Sequence, residues 1–117
     1  MASIVVNAVI RIGRRRVRAA ALIHLRDEVP HAIAIRIDEY TERGDQGAYI
    51  AATLFVERNS QKGIIIGKKG QKLKKIGEDA RKEIERMLES RIFLKLFVHV
   101  EKNWSRDTKA MRRLGYG

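Results

Sequence analysis

An α+β domain, in which a small three-stranded sheet packs on helices, is the fold the sequence predicts. Three observations predict it. Apolar and polar residues alternate over 33–38 and again over 92–100, the period of a strand with one buried face. Between them Leu73, Ile76, Ala80, Ile84, Met87 and Leu88 recur at helical spacing, with Lys and Glu opposite. A length of 117 residues, 44% hydrophobic, suffices for one modest core and not for two full domains.

In chain order, residues 17–28 hold good helix formers, among them Ala19, Ala20, Ala21, Leu22 and Leu25, and Pro30, the only proline, marks the end. Ile33, Ile35 and Ile37 then alternate with Ala34, Arg36 and Asp38 in a first strand. Residues 41–47, rich in Gly, Asp and Glu, read as a hairpin loop. The second strand is 48–57, with Tyr49, Ile50, Thr53, Phe55 and Val56. Three β-branched residues in a row, Ile64-Ile65-Ile66, favour a further strand by propensity alone. Residues 71–90 are the clearest helix, and 92–100 place Leu94, Leu96, Val98 and Val100 on one side of the last strand. Ser105 is placed to cap a short final helix through Leu114, with Gly115 to stop it.

Charge narrows the function. Twenty-five Lys+Arg against 14 Asp+Glu give a net +11, which points to a polyanionic partner. The charge is uneven: residues 1–26 carry six arginines and no acid, whereas 27–58 carry seven acids against three arginines. Residues 62–75 hold six lysines and no acid, interleaved with Gly63, Gly67 and Gly70 and the isoleucine run. Cysteine is absent, which excludes disulfide scaffolds, thiolate metal sites and cysteine nucleophiles. No apolar run approaches the roughly 20 residues of a membrane-spanning helix.

The motif at the centre of this charge is Gly67-Lys68-Lys69-Gly70, with Leu73 and Ile76 following. Glycines at both ends let a ligand backbone approach closely, and the two lysines meet phosphates. A helix starting directly after Gly70 adds free N–H groups and the positive end of its dipole. The flanking apolar residues then form a floor for unstacked bases, so the expected ligand is a single strand. A nucleotide-hydrolysing P-loop is excluded. Only three residues separate Gly63 from Gly67 where that motif needs four, and Lys69 stands where its Mg²⁺-binding hydroxyl belongs.

Other polar residues carry no chemistry of their own. His24, His31 and His99 lie too far apart for a metal pair, and the adjacent acids Asp38-Glu39 and Glu78-Asp79 diverge on a strand or a helix. Ser60 lacks the residue pattern of a nucleophile with its base. Trp104 offers a ring either to stack a base or to anchor packing. Arg106, Arg112 and Arg113 fit an RNA contact and a plain charged helix equally well.

Ile64-Ile65-Ile66-Gly67-Lys68-Lys69-Gly70-Gln71-Lys72-Leu73 resembles the I-I-G-x-x-G-x-x-I/L signature of KH RNA-binding domains, and the element order resembles their type II arrangement. More narrowly, Glu28-Val29-Pro30-His31, Leu54-Phe55-Val56-Glu57-Arg58, Gln61-Lys62-Gly63, residues 74–81, Asn103-Trp104 and Leu114-Gly115-Tyr116 are similar to the C-terminal KH domain of the Era family of bacterial GTPases. This resemblance covers about 19–117 and implies α-β-β-α-α-β plus a short C-terminal helix, with the isoleucine run in a helical turn against its propensity. It sets Trp104 in the family's Trp position after the last strand, which implies the packing anchor.

It also implies a function: binding the single-stranded 3′ end of 16S ribosomal RNA during small-subunit (30S) assembly. Gly67, Lys68, Lys69 and Gly70 match the phosphate-contacting loop, and Ile66, Leu73 and Ile76 the apolar groove; Lys62, Lys72 and Lys75 join them by charge and proximity. The chain departs from the family in lacking a P-loop. It is therefore expected to be no enzyme itself and to need no cofactor, with GTP and Mg²⁺ acting only through a GTPase domain elsewhere. The resemblance implies a cytoplasmic bacterial protein, with peripheral membrane association a further expectation. Residues 1–18 match nothing in the family and read as a basic leader, non-native or a transit peptide, the latter implying an organelle. The alternative is a stand-alone structural or organellar KH-type RNA-binding protein whose residues 1–18 form a basic arm.

Overall fold

The computed structural model describes residues 4–25 and 33–102. Helix α1 (Ile4–Leu25) begins well ahead of residue 17. Val9, Gly13, Val17, Ala20, Ala21 and Leu25 are buried at spacings of mostly three and four residues, so residues 9–18 own an apolar stripe that continues into the expected helix. Arg11 and Arg15 are exposed beside that stripe, and Arg14, Arg16 and Arg18 are half-buried. The stretch read as a basic leader outside the domain is thus, from Ile4 onward, the first part of α1. Pro30 and the expected helix end at residue 28 lie outside the described residues.

Strand β1 (Ala34–Glu42) pairs antiparallel with β2 (Ala48–Val56), Ile35 opposite Leu54, with a bulge between Ile37 and Glu39. β1 takes in Thr41 and Glu42, expected in the loop, and the turn shrinks to a 3-10 segment at Gly44–Gln46 closed by the Arg43 N–H donating to the Gly47 carbonyl at 2.7 Å.

Helix α2 (Asn59–Ile66) overturns the strand propensity of the isoleucine run and agrees with the resemblance. Propensity differences are a few tenths of a kcal/mol per residue, far below the roughly 1.5–3 kcal/mol from burying one isoleucine. Here Ile65 is fully buried and Ile64 packs against the same core. The helix start is closed by buried Gln61, whose Oε1 accepts the backbone N–H groups of Glu57 and Arg58, each at 3.0 Å.

Helix α3 (Gln71–Leu88) leads to β3 (Ile92–Val100), which runs parallel to β2 with Ala48 beside Ile92 and Val56 beside Val100. A parallel pair needs a long crossover, which α2 and α3 supply. The sheet order is β1-β2-β3, so β3 is an edge strand. All three helices lie on one side, over a core of Val17, Leu25, Ile35, Leu54, Ile65 and Ile76, and Ile84 packs on Ile50 and Ile92 at the far end of α3. This is the expected α+β architecture. The short helix expected over 105–114 and Trp104 lie outside the described residues.

Candidate nucleic-acid interface

Positive φ at three of four positions shapes the Gly67-Lys68-Lys69-Gly70 turn: 74° at Gly67, 56° at Lys69 and 75° at Gly70. Gly67 ends α2 by donating its N–H to the Gly63 carbonyl at 2.9 Å, and Gly70 donates to the Gly67 carbonyl at 3.2 Å. Lys69 holds a left-handed conformation that strains a side-chain-bearing residue by roughly 1–2 kcal/mol, the kind of local strain that gathers at ligand clamps. The Lys68 and Lys69 side chains are both exposed. Gly70 caps α3 without a side chain and the first turn of α3 carries no acid, so the orphan N–H groups at this helix start open toward the turn.

Two concavities flank the turn. On one side a groove of about 400 Å³ runs between α3 and β3, walled by Gly70, Leu73, Lys74, Gly77, Glu78 and Arg81, floored by Leu94 and Leu96 and edged by Lys95, so one acid stands among three cations. The helix runs close to β3 at Gly77, where a Cβ would make ordinary van der Waals contact with Leu96 Cδ1 at 3.6 Å. Arg81 reaches Glu85 at 2.8 Å, and Glu85 also accepts the Ile92 N–H at 2.9 Å, which ties the far end of the groove to the start of β3. On the other side Gly67, Lys68, Gln71, Lys72 and Lys75 surround a basic hollow of similar volume beside Ile64 and His24. Among the described residues His24 pairs with Asp79 alone, and no group of three or more His, Cys, Asp or Glu could hold a metal.

The expected site residues divide between these places. Gly70 and Leu73 line the apolar groove, while Gly67, Lys68, Lys72 and Lys75 line the hollow. Lys69 projects from the turn, and Lys62 and Ile66 are half-buried on α2. Ile76 is corrected: at 0% exposure it belongs to the core beneath the groove and is out of reach of any ligand. Sequence reasoning missed Lys74, Gly77, Arg81 and the β3 residues Leu94, Lys95 and Leu96. The α3 members recur from Gly70 at three- to four-residue spacing, a signal that was available. The β3 members lie on another element, which periodicity cannot reach.

The KH domain family matches residues 28–105, most of the chain. The chain belongs to the KH domain family. Within it the chain is similar to GTPase Era of Geobacter metallireducens, 59% identical over 92 residues, covering 78% of this chain and 31% of that protein. Era of Ruminiclostridium cellulolyticum is 45% identical over 105 residues, covering 90% and 35%. Two solved structures superpose on 90% of this chain at 38% identity. One is an Aquifex aeolicus Era variant bound to GDP and AlF4⁻, with TM-score 0.84 over 36% of that protein. The other is Era with MgGDPNP and nucleotides 1506–1542 of 16S ribosomal RNA, with TM-score 0.83 over 35%. The chain spans about a third of the length of these relatives and matches their KH region, not their GTPase domain. Since 90% coverage leaves out about a tenth of 117 residues, the match to the R. cellulolyticum protein extends into residues 1–18.

Proposed function

We propose that this KH domain binds single-stranded RNA, namely the 3′ end of 16S ribosomal RNA during assembly of the small subunit. The observation that carries the reading is the Gly67–Gly70 turn, with its lysines and the free start of α3, standing at the mouth of an apolar groove. Phosphates meet Lys68, Lys69 and the N–H groups of α3, while bases lie over Leu73, Leu94 and Leu96 with Lys74 at the rim. The solved Era complex with nucleotides 1506–1542 supports the choice of RNA. In this reading the protein works in the bacterial cytoplasm on the 30S subunit, coupled to a GTPase domain that binds GTP and Mg²⁺.

Fluorescence anisotropy with labelled RNA from nucleotides 1506–1542, a scrambled RNA and a duplex tests the reading, using the natural turn and Lys68→Asp with Lys69→Asp. Asp tolerates the left-handed conformation at position 69, so the turn survives the change. Tight binding to the first RNA alone, lost in the double variant, is expected. Equal binding to all three, unaffected by the variant, sinks the reading in favour of a basic surface. The arginines of α1 are tested by charge reversal of exposed Arg11 and Arg15, because deleting 1–18 would remove buried Val9 and Val17 from the core.

A further inference from the structure

Phe93 and Phe97 stand on the outward side of β3, each 46% exposed, while Leu94 and Leu96 point inward to floor the groove. Strand geometry sets the two residues roughly 13 Å apart on one face. Lys95 lies between them, its Nζ 5.4 Å from the centre of the Phe97 ring. The register sets Tyr49 beside Phe93 and the smaller Ala51 and Thr53 beside Lys95 and Phe97, so β2 does not shield this row. Arg43 caps the Tyr49 ring at 5.3 Å.

The occupant follows from charge and continuity. A second concavity at the start of β3, lined by Tyr49, Arg91 and Phe93, shares Arg81, Leu94 and Lys95 with the α3–β3 groove, so the two form one path around the strand edge. Its acid, Glu85, is held by Arg81 and the Ile92 N–H. Across the same sheet face β1 brings Glu39 and an Asp38 already held by Arg36 at 2.6 Å and by the Thr53 hydroxyl, so the acids of this face lie on the β1 side and the cation between the two rings is Lys95. Exposed aromatic rings interleaved with cations are the surface on which single-stranded bases stack.

We propose that Phe93 and Phe97, with Lys95 between them, form a stacking platform for the bases of the same RNA strand after it leaves the α3–β3 groove. The platform rests on the single-stranded RNA reading above and extends it from the groove to the exposed outward side of β3.

The test uses the full chain and two nested RNAs from nucleotides 1506–1542. One is roughly six nucleotides, enough for the groove around a turn that clamps four, and the other is about twice as long. The longer RNA is expected to bind more tightly than the shorter. Phe93→Ala with Phe97→Ala is expected to erase that gain, at least about fivefold per ring, and to leave short-RNA affinity and thermal stability unchanged. Phe93→Tyr with Phe97→Tyr restores the gain. Independently, Phe97→Trp fluorescence, read against the parent protein, is quenched by the longer RNA and not by the shorter.

Several results overturn the platform: no length-dependent gain in the parent protein, a gain that survives the alanine variant, or equal losses for both RNAs. A change confined to self-association or protein capture overturns it too, by making this face a protein interface. Failure of the parent protein to bind the short RNA, or binding that ignores Lys68→Asp with Lys69→Asp, instead overturns the RNA reading itself and the platform with it.

Discussion

A Cβ placed on Gly67 would stand 2.6 Å from the Cβ of Lys72 and 3.1 Å from its backbone nitrogen. The turn and the first turn of α3 are thus packed against each other at a point where no side chain fits. Gly67 also holds φ 74° with ψ −178°, a region essentially reserved for glycine, whereas Gly70 at φ 75° and ψ 8° is left-handed with open space around it. Gly70→Asn should therefore fold with a loss of about 1 kcal/mol or less, and Gly67→Asn should lose more than about 2 kcal/mol and its RNA binding. Urea unfolding of the two variants compares them directly. Equal losses would refute the steric account.

The salt dependence of binding counts phosphates. With three to five contacts, log K should fall against log[salt] with a slope of about −2 to −3.5, at roughly 0.7 per contact on a single strand. If Lys68 and Lys69 each hold one phosphate, replacing both by Asp should flatten the slope by about 1.4. An anisotropy titration at several salt concentrations measures this, and an unchanged slope would move the phosphates away from the turn.

Ile76 and Leu73 sit three residues apart and should behave differently. Ile76→Ala empties a fully buried site and should cost about 2–5 kcal/mol of stability. Leu73→Ala, at a half-buried residue lining the groove, should cost less stability and more affinity per kcal/mol lost. Chemical denaturation and RNA binding measured on both variants separate the two roles.

Gln61 holds the start of α2 and, through that helix, the position of Gly67. Gln61→Ala leaves the N–H groups of Glu57 and Arg58 without their acceptor and should destabilise by about 1–3 kcal/mol. Gln61→Glu keeps an acceptor of the same reach and should recover most of it. Thermal unfolding of the pair reads the difference; equal loss in both would mean that Gln61 acts through packing alone.

Much of the fold was legible because its signals are local. The alternation in β1 and β3 and the spacing from Leu73 to Leu88 depend only on neighbours along the chain, and the elements appear where those periods place them. The start of α1 carries the same kind of signal, the four-residue spacing of Val9, Gly13 and Val17, but the arginines at 11, 14, 15, 16 and 18 around them lower its apolar contrast.

The sequence by itself determined the α+β class, the basic charge and the Gly67–Gly70 turn with its lysines, because composition, period and glycine spacing are properties of a linear string. Tertiary structure decided the rest. Burial of Ile65 made the isoleucine run a helix, burial of Ile76 removed it from the site, and the parallel placement of β3 beside β2 brought Leu94 and Leu96 to face α3 with Lys95 at the rim. A groove is made where two elements distant in the chain approach, and only the energy of packing them on a shared core sets which side chains meet.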